Sequence, residues 1–189
     1  YHPPGLSDLE RDLVFIPTNG ITIDYYSGFA PGDNLFSTSL IALKASTGEL
    51  AWYQQLVHHD IWNYDTPTAP VAMDVTIDGR TVPIIAQATK QNFLYTYNRE
   101  IGEPIWPIEE VEVPASDIPG EQLSPTQPFP TKPAPFDRQG IGVDDLMDFT
   151  PELRARALEA VEPYILGPMF APPSLLDDEN GKKGTLTTP

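Results

Sequence analysis

The stretch Ala42-Leu43-Lys44-Ala45-Ser46-Thr47-Gly48-Glu49-Leu50-Ala51-Trp52 recurs 54 positions later as Thr96-Tyr97-Asn98-Arg99-Glu100-Ile101-Gly102-Glu103-Pro104-Ile105-Trp106. In each copy a strand ends and a glycine permits the tight reversal that a Cβ would hinder. A glutamate follows, and a tryptophan lands on the returning strand. Large aromatics at equal spacing are how repeated sheets lock to their neighbours, so the repeat predicts the blades of a propeller.

Outward from the repeat, short apolar runs bounded by turn residues predict strands at Leu13 to Pro17, Ser39 to Leu43, Leu50 to Gln54, Ala69 to Ile77, Thr81 to Gln87 and Phe93 to Tyr97. Asp78-Gly79 between two alternating runs marks a hairpin. Residues 1–106 therefore read as all-β propeller blades with loops at the strand ends. Residues 107–149 read as a long inserted loop, with eight prolines from Pro107 to Pro135 and few apolar runs. Over 150–166, Thr150 as N-cap and Pro151 at the first helical position predict one helix. Leu153, Ala157, Leu158 and Val161 share a face, and the helix ends near Pro163. Residues 167–189 read as the start of a further, truncated blade. The polar run Asp177 to Gly184 lacks the ligand alternation of a calcium loop and reads as a turn. The chain opens on Tyr1 and closes on a strand-like run without a cap, so both ends are expected to be internal to a longer chain.

Eleven Lys and Arg stand against 27 Asp and Glu, a formal charge of −16, which argues against a surface for DNA or RNA phosphates. A solvated acidic surface accounts for the balance. Without cysteine there is no disulfide framework and no thiolate metal site. No run approaches a membrane span.

The densest polar cluster is His58-His59-Asp60-Ile61-Trp62-Asn63-Tyr64-Asp65, at a strand end, where sheet folds carry their functional groups. Its residues suit a metal, a planar ligand or the capping of a turn. Lys90 sits at a turn 27 residues after Asn63, and Asn19-Gly20 forms another turn after the strand ending at Pro17.

With these residues in place, the runs "DNLFSTSLIALKASTGELAW" (33–52), "HHDIWNYDTPTAP" (58–70), "ATKQNFLYTYNREIGEPIWPIEE" (88–110) and "SPTQPFP" (124–130) resemble, in that order, the PQQ-dependent quinoprotein glucose, quinate and alcohol dehydrogenases. The resemblance covers nearly the whole chain. It implies two to three blades of an eight-bladed propeller, with the repeat as that family's tryptophan-docking motif. Lys44 and Asn98 depart from the Asp usual at that position, which weakens a turn hydrogen bond. PQQ and a calcium ion are the implied cofactors, Lys90, His59 and Trp62 the implied PQQ-side residues, and Asn63 and Asn19 the implied calcium ligands. At the position of the family's catalytic Asp this chain has Asn63, whose amide cannot accept a proton, so either Asp60 or Asp65 supplies the base or this branch has a weakened or different activity. The turn Thr18-Asn19-Gly20 departs likewise from the family's "TGN". The implied activity is oxidation of a sugar, polyol or cyclic alcohol in the periplasm, with electrons passing to ubiquinone or a cytochrome. The remaining blades are the implied partner, and an upstream segment would attach the protein to the inner membrane. The contrasting expectation is a non-catalytic propeller that serves as a scaffold in outer-membrane protein assembly.

Overall fold

The computed structural model describes residues 4–21, 23–177 and 181–186. Strands β1 (Leu6–Asp8), β2 (Leu13–Pro17), β3 (Ser39–Lys44) and β4 (Leu50–Gln55) form an antiparallel sheet in chain order. Strands β5 (Val71–Ile77), β6 (Arg80–Ala88) and β7 (Leu94–Asn98) form a second. Strand β2 alternates as the sequence requires, with Leu13, Phe15 and Pro17 turned inward. The turn between β5 and β6 places Asp78 and Gly79 both at positive φ, 49° and 75°, the twist a two-residue hairpin needs.

The repeated segment has the same geometry twice. The Lys44 N–H donates to Glu49 O (2.8 Å) and Gly48 N–H to Lys44 O (2.7 Å); 54 residues on, Asn98 N–H donates to Glu103 O and Gly102 N–H to Asn98 O, both at 2.8 Å. Gly48 and Gly102 have φ of 76° and 74°, so both copies use the left-handed region that glycine enters without cost to a Cβ. After the second turn the chain pairs back at Tyr97 and Pro104.

Trp52 joins the two sheets. Its indole is only 8% exposed and its Nε1–H donates to Arg99 O at 3.1 Å, while the neighbouring Gln54 amide donates to Gly102 O at 3.0 Å. The ring packs beside Phe15 of its own sheet and Tyr97 of the next. Trp106, its counterpart one repeat later, is more exposed than Trp52. Arg99 adds a charged link: Nη2 lies 2.8 Å from Asp74 Oδ1, and Nε lies 2.9 Å from Asp8 Oδ2 without its N–H pointing along that line. Leu13, Phe15, Leu40 and Ala42 of the first sheet and Ile85, Tyr95 and Tyr97 of the second share one core.

The two departures at the repeat turns resolve differently. Asn98 keeps a side-chain bond, its Oδ1 accepting from Glu100 N–H at 2.9 Å. Lys44 supplies none. Asp12 fills the role from the facing strand end, its carboxylate accepting from Ser46 N–H (2.8 Å) and Ser46 Oγ (2.6 Å). The Ser46 hydroxyl bond is the main reason that the Asp12 pKa is held below the ordinary value.

The proline-rich stretch is more regular than its composition suggests. Strands β8 (Ile108–Glu112) and β9 (Thr126–Pro130) pair antiparallel within it. Bonds from Val113 N–H to Pro125 O and from Thr131 N–H to Pro107 O, both 3.0 Å, set the alternation of the ladder. Pro128 and Pro130 fall on the opposite parity, where no N–H is called on, so they do not break the ladder. Phe129 packs against Phe93 and Phe170.

Helix α1 (Pro151–Val161) begins as the sequence predicts, with Leu153 N–H donating to the Thr150 hydroxyl at 3.2 Å. Strand β10 (Ile165–Leu166) pairs parallel with β11 (Thr185–Leu186). Of the polar turn read at Asp177 to Gly184, residues 178–180 lie outside the described residues. Its flanks Asp177 and Lys182 exchange two backbone bonds of 2.9 Å. Among the described residues no helix is long and apolar enough to cross a membrane.

Candidate cofactor site

Three loops meet at the ends of β2, β4 and β6. The loop after β4 carries the His58–Asp65 run, and Asp60 shapes it from within. Asp60 is 3% exposed, and its oxygens accept from Trp62 N–H (2.9 Å), Tyr64 N–H (3.0 Å) and the Thr38 hydroxyl (2.8 Å). Burial raises its pKa above the ordinary Asp value in spite of these bonds. Asp60, expected as a candidate base, is thus a buried organiser of the loop with its acceptor sites taken. Gly20 passes so near that a Cβ would lie 3.0 Å from Asp60 Oδ2.

On that support the chain turns through Asn63, at φ 61°, and brings its polar atoms against Lys90 from the turn after β6. The Lys90 ammonium donates to Asn63 O at 2.8 Å, to Asn63 Oδ1, and toward Asp65 Oδ2 at 3.3 Å. Asp65 Oδ1 in turn accepts from Gly20 N–H at 2.8 Å, tying the Asn19-Gly20 turn to the cluster. The Asn19 carbonyl accepts from Thr38 N–H at 3.0 Å. The other end of the Asn63 amide, Nδ2, donates to Asp24 Oδ2 at 2.7 Å.

Four of the residues singled out in the sequence, Asn63, Asp65, Lys90 and the Asn19 turn, therefore come together. His59 and Trp62, read from the resemblance as PQQ-side residues, do not join them. His59 is 1% exposed. Its Nε2 meets Ser27 Oγ (2.7 Å) and Glu121 Oε1 (2.8 Å), and its Nδ1 meets Gly32 O (2.6 Å), so it fastens the 27–34 loop to the proline-rich segment. Trp62 is buried beside Tyr64 and Phe170, with its N–H on Ala171 O at 2.9 Å. Trp62 is taken up by packing, because a loop this rich in aromatics supplies its own core, and His59 by its buried hydrogen bonds.

Three contributors were not legible as such. Asp24 lies outside every motif. Glu121 is buried with no apolar run around it to signal burial. Gln127, within the SPTQPF run, clamps the His58 peptide from both sides, its Oε1 accepting from His58 N–H (2.9 Å) and its Nε2 donating to His58 O (2.8 Å). A cavity of about 440 Å³ lined by Arg138, Gln139, Asp145 and Gly167 shares no residue with the Lys90 cluster.

The two implied cofactors fit this cluster unequally. Lys90 offers a fixed ammonium on a side chain still 29% exposed, which suits the carbonyl and carboxylate oxygens of a quinone cofactor. A calcium ion needs six to eight oxygen ligands. Both Asn63 oxygens already accept from Lys90, Asp65 Oδ1 is held by Gly20, and no group of three or more His, Asp or Glu placed for a metal occurs among the described residues. As the loop is arranged, Lys90 occupies the Asn63 oxygens expected to face calcium, and the ion would need further oxygen ligands beyond Asn63.

Consecutive antiparallel sheets locked by a tryptophan, with polar groups at the strand ends, define the chain as propeller blades. The family model described as "Glucose/ethanol/alcohol dehydrogenase, beta-propeller domain", the PQQ family, matches residues 4–189, and the chain belongs to that family. It is 38% identical to the quinoprotein glucose dehydrogenase of Escherichia coli K12 over 127 residues, 67% of this chain and 16% of that protein. It is 33% identical to the quinate/shikimate dehydrogenase (quinone) of Acinetobacter baylyi over 146 residues, 76% of this chain and 18% of that one. Among solved structures, the quinohemoprotein alcohol dehydrogenase of Pseudomonas putida HK5 superposes with a TM-score of 0.50 at 27% identity, covering 67% of this chain and 19% of that chain. The chain thus spans less than a fifth of each of these relatives.

Proposed function

We propose that this chain forms one wall of the PQQ site of a periplasmic dehydrogenase that oxidises a sugar, polyol or cyclic alcohol and passes electrons to ubiquinone or a cytochrome. The observation that carries the reading is the Lys90 ammonium, held by Asn63 and Asp65 yet partly exposed. PQQ, when bound, supplies the two-electron chemistry, and the protein binds, orients and tunes it. Lys90 would hold an oxygen of the quinone and stabilise negative charge there, while Asp65 and Asn63 keep the ammonium from swinging into solvent. Asp60 and Gln127 fix the loop on which Asn63 stands, and the His59–Glu121 pair fastens that loop from behind. Asp65, bonded to both Gly20 and Lys90, serves as a holding group and not as the base.

Support comes from the relatives named above, which carry dehydrogenase names, and from the family match over residues 4–189, a span that includes Lys90. The test is reconstitution of the full-length protein with PQQ, with and without calcium, followed by reduction of an artificial dye in the presence of sugars and alcohols. Dye reduction that requires PQQ supports the enzyme. A protein that binds no PQQ overturns the reading in favour of the scaffold.

A further inference from the structure

The Asn63 carboxamide is gripped at both ends. Lysine can only donate and a carboxylate can only accept, so the amide must turn Oδ1 to Lys90 and Nδ2 to Asp24, as it does. This arrangement fixes the amide without any freedom to flip. It also lets one charge act at a distance: the Asp24 carboxylate polarises the amide, and the amide oxygen presents that polarisation to the ammonium.

Asp24 is suited to this work. It is partly buried, and its one bond to the cluster is the 2.7 Å contact from Asn63. A carboxylate at position 63 would stand at the same short distance from Asp24, where two ionised carboxylates repel. Acid and amide at positions 24 and 63 are therefore complementary choices. A neighbouring case appears at the repeat turn, where Asp12 supplies the carboxylate that Lys44 does not.

We infer that Asp24 is a positioning residue for Lys90, acting through the Asn63 amide, and that residue 63 is an amide because residue 24 is an acid. The inference rests on the reading of Lys90 as a PQQ-binding residue. It means that replacing Asn63 by Asp alone would impair the site, and that exchanging the two groups would preserve it.

The experiment is a double-mutant cycle in the full-length protein with Asp24→Asn, Asn63→Asp and both together. Three quantities are read: PQQ affinity by absorbance titration, the split between KM and kcat at saturating PQQ, and the urea midpoint of the cofactor-free protein. Each single change should weaken PQQ binding about tenfold, and the exchange should recover it to within about threefold of wild type. The substrate KM of Asp24→Asn at saturating PQQ should stay at the wild-type value. In urea, Asn63→Asp should have the lowest midpoint, with the exchange restoring it. Single effects that simply multiply, in binding and in urea alike, would overturn the pairing. A wild-type protein that binds no PQQ would instead refute the cofactor reading, while the urea cycle still decides whether the two side chains are coupled.

Discussion

The indole of Trp52 lies so close to Gly102 that a Cβ built on the glycine would meet the ring at 2.6 Å, whereas a Cβ on Gly48, its counterpart one repeat earlier, would meet nothing within 4 Å. The two glycines share their positive φ and differ only in what stands over them. One is a turn residue, and the other is also half of the joint between two sheets.

That contrast gives a paired expectation. Gly48→Ala should cost about 1–2 kcal/mol, the strain of a Cβ in the left-handed region. Gly102→Ala carries the same strain and a clash with a packed ring, which adds about 1–3 kcal/mol. Urea unfolding of the two variants checks this. Equal losses would mean that Trp52 does not depend on that contact.

Gln127 makes two bonds to the part-buried backbone of His58, so Gln127→Ala leaves both His58 backbone groups without those partners. A loss of about 2–3 kcal/mol is expected from two such bonds. The His58–Asp65 loop should loosen with it, visible as faster amide exchange over residues 58–65. Exchange that stays slow there would show that the clamp is dispensable.

The buried Glu121 and His59 side chains are 0% and 1% exposed, and the Glu121 carboxylate meets both Ser27 N–H (2.6 Å) and His59 Nε2 (2.8 Å). Glu121→Ala should therefore cost about 3–5 kcal/mol, from the loss of two hydrogen bonds to one buried carboxylate. Replacing both by apolar residues of similar size should cost much less. If the double replacement is as damaging as the single one, the pair matters for its shape and not for its hydrogen bonds.

Asp60 sets a pH dependence with a definite sign. Its folded pKa is raised by burial, so the native state holds the proton more tightly than the unfolded chain. Its contribution to stability is complete below the unfolded Asp value of about 3.9 and declines as pH rises through the raised folded value. Asp60→Asn should flatten the curve of unfolding free energy across that window. An unchanged slope would assign the dependence to other carboxylates.

The strands were legible in the sequence because alternation and turn chemistry act within a few residues. The runs at Leu13–Pro17 and around Trp52 and Tyr97 emerge within a residue or two of their places, and Thr150-Pro151 starts the helix as its types demand. The ribbon of β8 and β9 was hidden because proline content says nothing about parity, and only the register shows that Pro128 and Pro130 avoid the donor positions. The site was legible in part. Residue types brought Lys90 and Asn63 forward, but orientation decides use, and burial turns Trp62 to packing and His59 to hydrogen bonds with Ser27 and Glu121. Asp24 reaches Asn63 from 39 residues away through a loop without a motif, a juxtaposition that only the fold creates.

Lys90 is the residue on which the functional reading turns. The direct measurement is PQQ binding to the full-length wild-type protein and its Lys90→Met variant by absorbance titration, with urea midpoints to verify that both are folded. Loss of one charge-assisted bond to the quinone should weaken affinity about 10- to 100-fold. Equal affinity of the folded variant and the wild type would contradict the placement of PQQ at this wall.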